Sequence, residues 1–161
     1  MRRRDREVTE FEEMIKVVDA CDVCRLGLSD EKAPYIIPMN FGYEIIEGQL
    51  VIYFHGASKG KKLDLIALNE GSVSFEMDTA HMLVEGDIPC NGTFLYQSVM
   101  GYGKVEILEV FSDKMHGLER IMDHYSGGSE WHGSKMRKEI VDKTCILRLK
   151  ADSWTCKCNR N

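Results

Sequence analysis

Phe54-His55-Gly56-Ala57-Ser58-Lys59-Gly60-Lys61-Lys62-Leu63-Asp64-Leu65-Ile66 is the stretch on which the reading of this chain turns. The run that leads into it, Gln49-Leu50-Val51-Ile52-Tyr53-Phe54, is rich in β-branched and aromatic residues and reads as a strand. The run that leaves it, with Leu63, Leu65, Ile66 and Leu68 and then Asn69 and Gly71 as a stop, reads as a short helix. Between them lie two glycines, a serine and three lysines. A strand that turns through small residues into a helix presents unpaired backbone N–H groups and the positive end of the helix dipole. Lys59, Lys61 and Lys62 concentrate further positive charge there. The stretch therefore reads as a phosphate-binding corner. A solvated lysine face beside a purely structural turn accounts for the local pattern equally well. The spacing matches neither the P-loop, G-x-x-x-x-G-K-[ST], nor the dinucleotide fingerprint, G-x-G-x-x-G.

The 161 residues are enough for one domain with its own core, and nothing divides them; the expectation is a single domain over 1–161 with residues 1–8 as a flexible tail. The net charge of −5 argues against nucleic acid or an anionic membrane as a partner of the whole surface. No run approaches the ~18 apolar residues of a membrane span. Met1-Arg2-Arg3-Arg4 is basic, but no apolar signal core follows it, so the expected location is cytoplasmic. The six cysteines then read as reduced thiols rather than a disulfide framework. Cys21-x-x-Cys24 with Cys156-x-Cys158 is the alternative, a four-thiolate zinc site, but it lacks the usual turn residues and one spacing is too short; no metal is expected.

Outward from the lysine corner, Thr9-Glu10-Phe11-Glu12 has the form of a capping box, and Phe11, Met14, Ile15 and Val18 share a face of a helix over 9–20. Strands are expected at 23–28, 35–40, 42–46, 50–54, 73–77, 96–108 and 145–149. Pro38 cannot donate to a ladder and marks an edge or a bulge. Gly101 and Gly103 read as bends or bulges in a long strand, and Ala80 to Leu95 as irregular. A helix capped by Ser112-Asp113 runs to about Tyr125, a loop follows at Ser126-Gly127-Gly128-Ser129, and a short helix is expected over 134–141. His81, His116, His124 and His132 read as surface or loop residues. Short strands with turns and a few helices make the chain mainly β: a small antiparallel barrel with helices around it.

The motifs then fall into a recognisable order. Cys24-Arg25-Leu26-Gly27-Leu28 is followed by Tyr35-Ile36-Ile37-Pro38-Met39-Asn40-Phe41-Gly42-Tyr43, then Tyr53-Phe54-His55-Gly56-Ala57 with Gly60-Lys61-Lys62, then Phe75-Glu76, then Ser98-Val99 with Gly101 and Gly103. In this order the chain resembles the pyridoxamine 5′-phosphate oxidase-like flavin-binding split barrels, and within them the nitroimidazole-resistance group. The resemblance spans roughly residues 8 to 155, and its specificity lies in the pairing of Pro38-Met39-Asn40-Phe41-Gly42-Tyr43 with Phe54-His55-Gly56-Ala57. It implies a six-stranded antiparallel split β-barrel with peripheral helices, a homodimer, and FMN in the cleft between the two chains. By position, Ile37, Pro38, Met39 and Asn40 would lie along the isoalloxazine ring, and Phe54 and His55 on the ribityl and phosphate side. Lys61 and Lys62 would grip the phosphate, Ser98 would approach the ring edge, and Trp154 would reach the cofactor held mainly by the other chain. The C-terminal Cys156-Lys157-Cys158-Asn159-Arg160-Asn161 lacks the arginine pattern that receives the vitamin phosphate, so the resemblance does not carry vitamin B6 oxidation with it.

The function implied is an FMN-dependent oxidoreductase passing electrons to a small-molecule acceptor such as a 5-nitroimidazole, with His55 as its candidate catalytic proton source. The alternatives are a flavin- or haem-binding carrier or sensor without turnover, and a zinc-dependent interaction domain built on the cysteines.

Overall fold

The computed structural model describes residues 3–126 and 136–160. Eight strands form one antiparallel sheet: β1 (Glu7–Val8), β2 (Cys24–Leu28), β3 (Tyr35–Met39), β4 (Phe41–Ile46), β5 (Gln49–Gly56), β6 (Ser72–Val84), β7 (Thr93–Leu108) and β8 (Cys145–Asn159). Among the described residues four α-helices join them: α1 (Phe11–Asp19), α2 (Lys61–Leu68), α3 (Phe111–Ser126) and α4 (Lys138–Lys143). The strand order is β3-β2-β6-β7-β8-β5-β4, with β1 attached to β8. Laid flat, six spacings of about 4.8 Å would hold β3 and β4 roughly 29 Å apart. Asn40 alone joins them, so the sheet rolls into a barrel that is split between these two strands. Pro38 sits on the edge strand β3, opposite Arg25 of β2, where its missing N–H costs no ladder bond. Tyr125 staples the split: its hydroxyl accepts the N–H of Phe41 at 3.1 Å and donates to the Asp22 carbonyl at 2.7 Å.

The core follows the strand period. Leu26, Leu50, Ile52, Phe54, Phe75, Met77, Leu147 and Leu149 point inward and are sealed from solvent. Strand β5 is buried on both faces: Val51 and Tyr53 pack outward with Leu108, Ile121 and Ile146, beneath Leu118 of α3. Helix α3 comes this close because Gly42 lies against the backbone of Arg120 and Gly117 against Ile146 and Tyr53.

The structure departs from the sequence expectation in extent. The sheet has eight strands rather than six. Part of the expected tail is ordered, since Glu7 and Val8 pair with Lys157 and Cys156. Much of Ala80–Leu95 is ladder, with Met82, Leu83 and Val84 opposite Leu95, Phe94 and Thr93. Strand β8 continues ten residues past Leu149, to Asn159. The capping box does not form: α1 starts at Phe11 with Glu10 as its N-cap and no side-chain cap bond. Gly103 does lie at a bulge, where Tyr102 faces Ser153 and Gly103 faces Ala151, leaving Asp152 unpaired in β8. That extra residue shifts the phase of β8: Leu147, Leu149 and Ala151 face the core before it, and Cys156 and Cys158 are buried after it. The expected loop at 126–129 lies outside the described residues except for Ser126, which closes α3; His132 lies outside them too, and the last helix is described from Lys138.

Candidate functional site

Strand β5 ends at Gly56 and α2 begins at Lys61, with Gly60 as the N-cap at φ 126°, a conformation only glycine takes without strain. No side chain caps this helix; the Leu63 N–H turns back to the Gly60 carbonyl at 2.8 Å, and the N–H groups of Lys61 and Lys62 are left to a ligand or to water. Consecutive helical residues point about 100° apart, and the two lysines accordingly go different ways. Lys61 turns outward: its ammonium pairs with Asp30 at 2.6 Å and lies 4.7 Å over the Tyr35 ring. That pairing raises the Lys61 pKa and lowers that of Asp30. Lys62 folds back toward the barrel. Its Nζ lies 3.9 Å from Met39 Sδ and fills the space a side chain would need at Gly56.

Burial holds the Lys62 ammonium below its ordinary pKa, with Cys145 opposing that shift. Among the described residues no carboxylate lies within ion-pair distance of Lys62. Cys145 is the ladder partner of Gly56. Burial pushes its thiol up, against the pull of Lys62 and Lys114. Lys114, buried on α3, donates to the Asp142 carbonyl at 2.9 Å and so ties α4 to α3. The corner thus holds a half-buried cation without a counter-ion among the described residues, a glycine that makes room for it, and an uncapped helix end, which suits an anion of phosphate type.

The remaining candidates divide by strand face. Phe54 is fully buried in the barrel, between Phe41 of β4 and Leu147 of β8, and presents no surface to a ligand. His55 points the other way, over a hollow of about 410 Å³ lined by Leu118, Ile121, Met122, Ile140 and Arg137 between α3 and α4. Phe54 and His55 therefore occupy opposite faces of β5.

Ile37 and Met39 are half-buried on the inner side of β3; Pro38 and Asn40 are exposed. Pro38 shares an outer face with Arg25, Glu76 and Met100 across four neighbouring strands. Ser98 stands on that face too, opposite Asp78 on one side and Lys157 on the other. Ile36, Met100 and Tyr102 on this face are each more than half exposed. Trp154 packs on the core and meets Phe11 edge-to-face at 6.2 Å, which accounts for its position within one chain. The structure thus brings Met39, Gly56 and Lys62 together, places Pro38 and Ser98 on one open face, and leaves His55, Lys61 and Trp154 with other neighbours.

Sequence reasoning passed over three participants. Asp30 carries no signal of a site in the sequence reading, Gly56 reads only as part of the turn, and Cys145 as an ordinary thiol. Only the ladder of β5 on β8 signals the last, and no local motif carries it. All six cysteines are free thiols. Among the described residues no cluster of three or more His, Cys, Asp or Glu side chains is placed to hold a metal, and no helix is long and apolar enough to cross a membrane.

An antiparallel sheet rolled into a split barrel, with an anion corner where β5 meets α2, defines the class of split-barrel proteins. Residues 10–157 match the pyridoxamine 5′-phosphate oxidase family, and the chain belongs to it. Among solved structures it is similar to a candidate 5-nitroimidazole antibiotic resistance protein from Bacteroides thetaiotaomicron VPI-5482, at 27% identity and a TM-score of 0.80, over 94% of this chain and 86% of that one. It shares its fold with the FAD and heme binding protein from Mycobacterium smegmatis, at 20% identity and a TM-score of 0.78, over 97% and 74% of the two chains. The flavocytochrome Anf3 from Azotobacter vinelandii is a further fold relative, at 19% identity and a TM-score of 0.75, over 100% and 72%. No curated protein matches the sequence.

Proposed function

We propose that this protein is an FMN-dependent oxidoreductase that works as a homodimer and reduces a small acceptor of the nitroaromatic type. The observation that carries this reading is Lys62, a cation set into the barrel wall beside Gly56 with no carboxylate among the described residues to neutralise it. Burial without a partner costs free energy, and a phosphate dianion received by Lys62 and the free N–H groups of α2 would offset it. FMN ends in such a dianion. Met39 and Ile37 line the strand leading away from the corner, and Pro38 and Asn40 lie exposed beside them, which offers a planar ring an apolar edge. When bound, the flavin supplies two-electron redox chemistry; the chain supplies the anchor, the orientation and the exclusion of water.

The homodimer is supported by the bare outer face of β3, β2, β6 and β7, where Ile36, Met100 and Tyr102 stand exposed around the Arg25–Glu76 and Arg25–Asp78 ion pairs. A second copy laid on that face would cover these side chains and enclose Ser98 and Pro38. The nitroaromatic acceptor is supported by the likeness to the Bacteroides protein.

An absorbance spectrum of the freshly purified protein, followed by titration with FMN and with FAD, tests the reading. Yellow protein, or tight uptake of FMN with quenched flavin fluorescence, is expected, with Lys62→Met binding roughly 10–100-fold more weakly, the worth of one charge-assisted bond. Protein that stays colourless in excess flavin would overturn it. Flavin-loaded protein that reduces no nitroaromatic would instead identify a carrier or sensor.

A further inference from the structure

The β6–β7 ladder runs in register from Ser72 opposite Lys104 to Thr79 opposite Gln97 and resumes at Met82 opposite Leu95. Ala80 and His81 together face only Tyr96, a two-against-one bulge. Ala80 adopts φ 55°, in the left-handed region that a residue with a Cβ rarely enters. The bulge redirects His81. Its ring stacks 6.0 Å from Phe94 at 25° between planes, and its Nε2 lies 2.8 Å from Asp78 Oδ2. The other Asp78 oxygen accepts from Arg25, whose guanidinium also donates to Glu76 at 3.0 Å. An arginine therefore fixes the carboxylate, and the carboxylate fixes the imidazole. Beside the dyad lies a hollow of about 440 Å³, bordered by Ala80, Met82, Leu95, Tyr96 and Gln97.

Its place in the sheet gives the dyad a purpose. Met39, Cys24 and Met77 form one row across β3, β2 and β6, and Asp78 is the next residue after Met77. Two strand spacings, about 10 Å, separate it from the end of β3 that leads to the Lys62 corner. Ser98 is its direct neighbour on β7. The other described histidines serve the opposite side: His116 and His124 belong to α3, and His55 faces it.

We propose that Asp78 and His81 form a proton-donating subsite for a small planar nitroaromatic held in this hollow, with His81 the donor and Asp78 the residue that positions it. The assignment rests on the flavin reading for its electrons. The chemistry balances with a reduced flavin as the two-electron reductant: bound there it would supply a hydride equivalent, His81 would give one proton to a nitro oxygen, and one N–O bond would break. The nitro group is reduced to nitroso, one water leaves, and the neutral imidazole regains its proton from solvent.

The test uses 2-methyl-5-nitroimidazole as the probe, added to flavin-free and to FMN-loaded protein, with the histidine ring resonances followed by NMR. The His81 signal, identified by its loss in His81→Ala, is expected to move saturably while that of His55 stays. FMN-loaded His81→Ala is expected to keep its flavin absorbance and a KM within about threefold, to lose roughly 100-fold in kcat, and to regain part of it when imidazole is added to the buffer. A His81 ring that does not respond, or a kcat within threefold of the parent, overturns the subsite and leaves the flavin reading standing. Failure to bind FMN at all overturns the flavin reading instead, and the flavin-free titration then decides the subsite.

Discussion

The two sides of the sheet are built for different company. On the α3 side, β5 is buried on both faces, Val51 and Tyr53 are sealed under the helix, and glycines at 42 and 117 admit its backbone at close range. On the β3-β2-β6-β7 side, Ile36, Met100 and Tyr102 stand in solvent around ion pairs. Close packing on one side is complete within a single chain. The other side holds polar and apolar groups in an order that packing within the chain does not require. The first side sets stability, and the second is where binding and assembly are to be sought.

The comparison breaks most directly at Gly42. Gly42→Val puts a Cβ into the backbone of Arg120, which cannot swing aside as a side chain can. A loss of about 3 kcal/mol or more is expected, a fall in Tm on the order of 6–12 °C by thermal circular dichroism; an unchanged Tm would mean that α3 does not need this close approach. Next comes Lys62→Met, which weakens FMN binding about 10–100-fold by fluorescence titration yet raises the Tm of the flavin-free protein, because an uncompensated half-buried charge is removed. The pH dependence has a definite sign. With the folded pKa of Lys62 below its unfolded value, the folded state releases its proton first as pH rises, so parental stability climbs between the two values. Lys62→Met lacks that climb, measurable as a difference in urea midpoints between pH 8 and 10.

On the open face, Met100→Lys with Tyr102→Lys is expected to shift sedimentation toward the monomer, at ~1–2 kcal/mol per buried apolar side chain. Equal dimer content in parent and variant would place the interface elsewhere. Smallest is Lys61→Met, which ends a surface pairing with Asp30. Its effect on FMN affinity should stay within threefold, and a larger loss than that of Lys62→Met would reverse the roles given to the two lysines.

How much of this was legible depends on periodicity. The strand–turn–helix at 49–66 is plain because a strong apolar run meets glycines and lysines. The edge position of Pro38 follows from its missing N–H. The opposite facing of Phe54 and His55 was in principle readable from the two-residue strand period, but the family motif groups them and hides it. Lys61 and Lys62 look equivalent in sequence; Asp30, thirty-one positions earlier, takes one of them, and no local pattern announces such a partner. Ala80–Leu95 and the end of β8 escaped for a shared reason: a bulge interrupts the alternation that identifies a strand, at Ala80–His81 in one and at Asp152 in the other. The capping box at Thr9 misled in the other direction, since its residue types were right while the helix starts two positions later.

Asp152 also governs what the last strand tolerates. Being an uncounted beat in an otherwise two-step rhythm, it sets which way every later side chain turns. Deleting that one exposed aspartate would leave Ala151 and Trp154 two steps apart and close the ladder as a regular strand with Trp154, Cys156 and Cys158 still facing inward, whereas deleting Thr155 would turn both thiols outward. The position left out of the ladder is therefore the one place along this strand where a residue can be lost without turning the remainder over.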